Sequence, residues 1–96
     1  MDVKLAVSHH FQKQLKKLSR QDQHKVTSTL KGFLEYLTQG SLPLGFGLKK
    51  INGNKYEIRV DLRTRIVMKL DGDTFVCDLV GSHDAVKRYL REYRSA

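Results

Sequence analysis

The sequence predicts an α+β domain. An N-terminal strand and a helical hairpin precede a twisted antiparallel sheet of about four strands and a C-terminal helix. Three observations lead there. Apolar residues recur at helical spacing from Phe11 to Leu37. From Tyr56 the period changes to two. Asp71-Gly72 lies between two apolar runs and is a hairpin signal.

Each element has its own signal. Val3 to Ser8 alternates and is rich in aliphatics, so it reads as a strand. Ser8 then caps a helix whose stripe is Phe11, Leu15 and Leu18, with lysines on the opposite side. Ser19-Arg-Gln-Asp22 has the form of a capping box and opens a second helix. Its predicted buried stripe is Val26, Leu30, Phe33, Leu34 and Leu37, and Gly40 with Pro43 ends it. The link between the helices is very short, so they pack as an antiparallel hairpin. Residues 41–54, glycine-rich and holding the only proline, read as a loop that carries Lys49 and Lys50. Tyr56, Ile58 and Val60 point one way, Glu57 and Arg59 the other. Asp61 to Thr64 is a turn. Ile66, Met68 and Leu70 share one face of the next strand, opposite Arg65, Val67 and Lys69. Thr74 to Val80 is a nearly continuous apolar strand, suited to a covered position. Ser82 caps a last helix carrying Val86, Tyr89, Leu90 and Tyr93. The expected order is β-α-α-β-β-β-α, with the helices on one sheet face and the first strand either near the middle or against the last strand.

The 96 residues, 1–96, are expected to form a single domain. A formal charge of +8, from 18 basic and 10 acidic residues, favours a polyanionic partner, either nucleic acid or an acidic protein. The single cysteine, Cys77, excludes an internal disulfide and lies in an apolar run, as a small buried hydrophobe would. No apolar stretch approaches the roughly 20 residues of a bilayer span, and the N-terminus lacks a signal-peptide core. The expected setting is soluble and reducing, as in the cytoplasm. The four histidines show no metal-ligand spacing, so neither a metal nor another cofactor is expected.

Cleavage of RNA without a metal needs a base for the 2′-hydroxyl, cations for the phosphate oxygens and an acid for the leaving 5′-oxygen. Glu57 and Arg59 share a strand face, and Arg65 and Lys69 share a face on the next strand. In simple register they form one surface. It is either a phosphate-binding surface or a solvated face with cross-strand ion pairs such as Glu57 with Arg65. His83 follows Gly81-Ser82 at the junction of strand and helix, and imidazole ordinarily titrates near neutrality. It is either the acid or base of that surface or an ordinary first-turn residue. Tyr89 either stacks on a base or packs the last helix on the sheet. Lys49, Lys50, Lys55 and Arg63 are candidate RNA-backbone contacts without sequence preference.

These residues, in this order, resemble the RelE/ParE superfamily of bacterial toxins from toxin–antitoxin pairs. The resemblance runs over Phe11–Leu18, Leu48–Lys50, Tyr56–Val60, Arg65–Met68, Val80–His83 and Tyr89. It implies a microbial-ribonuclease-like α+β fold and, in the RelE branch, mRNA cleavage on the ribosome; the ParE branch inhibits DNA gyrase. By the resemblance, Arg65 matches the arginine that stabilises the scissile phosphate. Arg59 matches a strand position held by lysine in RelE and histidine in the YafQ branch. Glu57 falls near a glutamate that serves as base in a related branch. His83 matches the histidine of the YafQ-like Gly-Thr/Ser-His ending, and Tyr89 a tyrosine near the RelE C-terminus. The chain mixes the two branches. It lacks RelE's paired lysines on the first hairpin strand and YafQ's additional histidines. The implied function is an endoribonuclease toxin whose partners are mRNA, the ribosome and a cognate antitoxin. The alternatives are a non-hydrolytic gyrase inhibitor and an inactive partner-binding member.

Overall fold

The computed structural model describes residues 3–39 and 47–93. Its elements are β1 (Lys4–Val7), α1 (His9–Lys16), α2 (Arg20–Gln39), β2 (Lys49–Asn52), β3 (Lys55–Arg59), β4 (Thr64–Asp71), β5 (Thr74–Ser82) and α3 (His83–Tyr93). Both predicted helix starts are built as the sequence implies. The Ser8 hydroxyl accepts the Phe11 amide at 3.0 Å, and the Ser19 hydroxyl accepts the Asp22 amide at 3.1 Å. Each bond satisfies a first-turn amide that has no partner within the helix.

The strands form one five-stranded sheet in the order β1-β5-β4-β3-β2. The fifth strand is β2, which lies inside the segment read as a loop. Its glycine-flanked residues Lys49–Asn52 alternate weakly, and they become a strand by pairing with β3. The sheet is mixed rather than purely antiparallel, because β1 runs parallel to β5 from Lys4↔Thr74 to Val7↔Cys77. The first strand therefore pairs with the last, one of the two arrangements expected. The β4–β5 hairpin closes between Asp71 and Thr74. Gly72 takes φ 61°, in the left-handed region that glycine enters without a steric penalty.

The helices lie on both faces, which corrects the one-faced expectation. On one face α1 and α2 cover Ile58, Ile66, Met68, Phe75, Cys77 and Val80 with Phe11, Val26 and Phe33. Phe75 is the hub. It meets Phe33 edge-on at 5.2 Å and Tyr56 at 5.3 Å between ring centroids. On the other face α3 buries Val86 against Val67 and Leu79. These two residues are what the one-faced expectation overlooked: Val67 sits in the polar phase of β4, and Leu79 is in phase with Phe75 and Cys77 along β5. At Asp78 a register shift between Val67 and Met68 inserts one residue into β5, and Leu79 thereby turns to the α3 side. Leu34, expected in the core, is 45% exposed, whereas Tyr36 packs on the core and on the Phe33 ring. Gly40, Pro43 and the Tyr93 side chain lie outside the described residues. Among the described residues, no helix is long and apolar enough to cross a membrane.

Candidate functional site

The sheet register assembles the charged face that α3 partly covers. Pairing across β3, β4 and β5 sets Arg59 opposite Arg65 and Arg65 opposite Gly81. One step along, Lys49 faces Glu57, Glu57 faces Val67, and Val67 faces Leu79. At the next step Lys55 faces Lys69. Strand alternation puts all of these on one side. These residues set five cations and the Glu57 carboxylate on that face, Asp71 follows in the same phase at the end of β4, and α3 closes the centre over Val67 and Leu79.

The ladder sets Lys49, not Arg65, directly opposite Glu57. Arginine opposes arginine and lysine opposes lysine, while Glu57 is diagonal to Arg65 rather than opposite it. Like charges directly opposed across strands destabilise a sheet. Among the described residues, the salt bridges are Lys4–Asp73 and Lys25–Asp61, and neither neutralises this surface.

The side chains differ in how firmly they are held. Arg59 is exposed, and its Cβ approaches the chain at Gly47, where an added Cβ would lie 3.1 Å from it. Gly47 has φ 81°, so glycine is required there both for the backbone and for the approach. Arg65 is half-buried. Its Nη1 donates to the Asp61 carbonyl at 2.6 Å and to the Thr64 carbonyl at 3.3 Å. A guanidinium has five N–H donors. Nε–H and both Nη2–H groups make no bond to the described residues. Among the described residues, the side of the fork that can grip two phosphate oxygens is left available. Glu57 is half-buried between Lys49 and Val67.

Gly81 brings α3 to this place. A Cβ on it would lie 3.1 Å from the Ala85 Cβ, so a side chain would force the helix and strand apart by a few tenths of an ångström. The Ser82 hydroxyl accepts the Ala85 amide at 3.1 Å and caps α3 as expected. The positive end of the helix macrodipole therefore sits beside the Arg59–Arg65–Gly81 row. His83 is exposed and opens α3, next to Ser82, which pairs with Thr64.

Other predicted residues lie elsewhere. Lys50 faces Tyr56, a core residue of the α1–α2 side, and so points away from the arginines. Arg63 is exposed in the β3–β4 turn, beside a cleft of about 340 Å³ that Asp22, Lys25 and Leu62 also line. Tyr89 packs on Val67, Leu79 and Val86, and its hydroxyl donates to the Asp78 carboxylate at 3.5 Å. It lines a second cleft of about 310 Å³ with His10, Gln14 and Arg88, on the β5 side of α3. The packing reading of Tyr89 is thus met. Cys77 is fully buried, and burial pushes its thiol up to about 12, so it is not a nucleophile.

Two contributors were not expected from sequence. Asp61 organises the β3–β4 turn, accepting the amides of Arg63 and Thr64 on one carboxylate oxygen at 2.8 Å each. Those bonds hold its carboxyl below the usual range, against some loss of solvation, and Lys25 acts in the same direction. The signal was present, since aspartate commonly bonds the amides two and three residues on. Gln14 accepts the Val80 amide at 3.0 Å, where β5 has run past β1. No local pattern announces that contact.

No family profile and no curated protein matches the chain. Solved structures do. RelE in the RelB–RelE antitoxin–toxin complex of Methanococcus jannaschii superposes with a TM-score of 0.67 and 26% identity, over 88% of this chain and 96% of that one. YafQ of E. coli gives 0.61 and 20%, over 88% and 97%. YoeB of Staphylococcus aureus, solved as a dimer, gives 0.60 and 19%, over 86% and 99%. The architecture is common to all of them.

Proposed function

We propose that this chain, which has the fold of the RelE-like toxins, is the toxin of a toxin–antitoxin pair and cleaves RNA without a metal ion. The observation that carries the reading is the opposition of Arg59 to Arg65 and of Lys55 to Lys69 on one sheet face. Such pairs cost stability in the free protein. A polyanion bound there relieves the repulsion, and its affinity falls as salt rises.

In this reading Arg65 and Arg59 hold the scissile phosphate. Glu57 takes the proton of the 2′-hydroxyl, whose oxygen attacks phosphorus. The bond to the 5′-oxygen breaks, and His83 protonates the leaving group. If Glu57 is structural, His83 is the base. The product is a 2′,3′-cyclic phosphate, opened by water to a 3′-phosphate. Lys49, Lys55 and Arg63 supply phosphate contacts around the site, and Tyr89 contributes by seating α3. RelE of M. jannaschii and YafQ of E. coli were each solved with an antitoxin. The antitoxin of this chain is an acidic protein that neutralises the same face, with charge complementarity speeding the encounter.

The test is a cleavage assay on mRNA with and without 70S ribosomes, for wild type, Arg65→Ala and His83→Ala. Cleavage by wild type, reduced by about a hundredfold or more in Arg65→Ala, is expected. Intact RNA in every lane overturns the reading. Inhibition of gyrase supercoiling by the same preparation would then favour a non-hydrolytic inhibitor.

A further inference from the structure

We propose that Asp61 is a positioning residue for Arg65, acting through the turn it closes. The inference rests on the reading of Arg65 as the group that holds the scissile phosphate.

The turn between β3 and β4 is anchored on the core only at its start, by Val60. Leu62, at its tip, is 87% exposed. Its shape comes instead from polar contacts that converge on Asp61. One carboxylate oxygen accepts the amides of Arg63 and Thr64 at 2.8 Å each. The other meets the Lys25 ammonium at 3.3 Å and ties the turn to α2. The main-chain amides of Val60 and Asp61 reach the Thr64 carbonyl at 2.9 and 3.4 Å. The two carbonyls that hold the Arg65 guanidinium, those of Asp61 and Thr64, are the two ends of this same turn. Closing the turn therefore sets the distance between the two acceptors of Nη1. With both acceptors in place, the guanidinium plane is fixed before substrate arrives. Orientation supplied in advance raises kcat, because freedom is not lost during the reaction. Lose the carboxylate acceptor and the carbonyls separate. Arg65 then keeps its charge but not its direction.

The experiment compares wild type with Asp61→Asn, Asp61→Ala and Arg65→Ala. Asparagine keeps the acceptor oxygen for both amides and loses the charge and the acceptor toward Lys25. Cleavage of mRNA gives kcat and KM, and NMR of the arginine side chains reports rotation of the Arg65 guanidinium. Asp61→Ala should lose kcat by about tenfold to a hundredfold with KM changed by less than about threefold. Asp61→Asn should return kcat to within about threefold of wild type. The Arg65 guanidinium should rotate slowly in wild type and Asp61→Asn, and rapidly in Asp61→Ala. If Asp61→Ala does not fold, Asp61→Ser, which keeps a weaker acceptor, is measured in its place and should fall between the other two. A normal kcat with slow rotation in Asp61→Ala overturns the proposal, and so does an asparagine variant as impaired as the alanine one. Wild-type cleavage by Arg65→Ala would instead remove the functional reading, while the rotation measurement still decides whether Asp61 orients Arg65.

Discussion

Gln14→Ala should destabilise this protein well beyond what a surface substitution on the same helix does. Strand β5 is paired with β1 only as far as Cys77. At Val80, 3% exposed, the outward amide has no strand beside it and donates to the Gln14 side chain at 3.0 Å. Alanine removes the acceptor and leaves that amide without a partner, at a cost of about 1–3 kcal/mol. For a domain of this size each kcal/mol lowers the melting temperature by about 4–8 °C, so the expected drop is about 4 to 24 °C. Gln12→Ala, an exposed site in α1, is the control and should stay within about 0.5 kcal/mol of wild type. Gln14→Glu retains an acceptor oxygen and should recover most of the loss. Thermal and urea unfolding give the global figure, and hydrogen exchange at the Val80 amide gives the local one. The reasoning is refuted if Gln14→Ala melts with Gln12→Ala and Val80 stays equally protected. The contact also bears on function, because Val80 leads directly into Gly81, Ser82 and His83.

Three further outcomes are expected. Cys77 should resist Ellman's reagent at pH 8 in the folded protein and react once urea unfolds it. Its folded value of about 12 lies above the unfolded value of about 8.5, so the folded state holds the proton more tightly. That contribution is fully present below about pH 8.5 and is lost as pH rises toward 12, and Cys77→Ala should show a shallower alkaline decline. Gly47→Ala should cost about 1–2 kcal/mol in a thermal melt from the positive φ alone, and it should also weaken RNA binding by displacing Arg59. For Asp61 the sign is opposite to that of Cys77. The amides of Arg63 and then Thr64, with Lys25, depress its carboxyl, so its stabilisation is present above about pH 4 and disappears as pH falls through the folded value. Asp61→Asn should flatten the acid limb of the stability curve.

Much of the fold was legible because it rests on local chemistry. Ser8, Ser19 and Ser82 each cap the helix that the sequence assigns to them, since an N-cap needs only a hydroxyl within three residues of its amide. The β3–β4 and β4–β5 hairpins followed from period and turn residues. The misreadings concern pairing over distance. Lys49–Asn52 is a strand only because β3 lies beside it. Val67 was grouped with Arg65 and Lys69 and Leu79 lay in an apolar run, yet together they are the floor on which α3 rests. Leu34 fits a helical stripe wider than the surface α2 covers, and it stays at the margin. In the site, alternation alone grouped Glu57, Arg59, Arg65 and Lys69. Which residue opposes which depends on register, and register sets Lys49 rather than Arg65 opposite Glu57 and Arg59 opposite Arg65. Lys50 could not be separated from Lys49 without knowing that both lie in a strand.

The most direct test of this account is an NMR titration of the ¹⁵N-labelled protein with a 2′-O-methyl oligoribonucleotide, which binds but cannot be cleaved. The account expects the largest shifts at Glu57, Arg59, Arg65, Gly81 and His83, including the Nε–H and Nη2–H groups of the Arg65 guanidinium, and expects them to shrink as salt is raised. Shifts confined to α1 and α2, or to the cleft of His10, Gln14 and Arg88, with the arginine row unmoved, would contradict it.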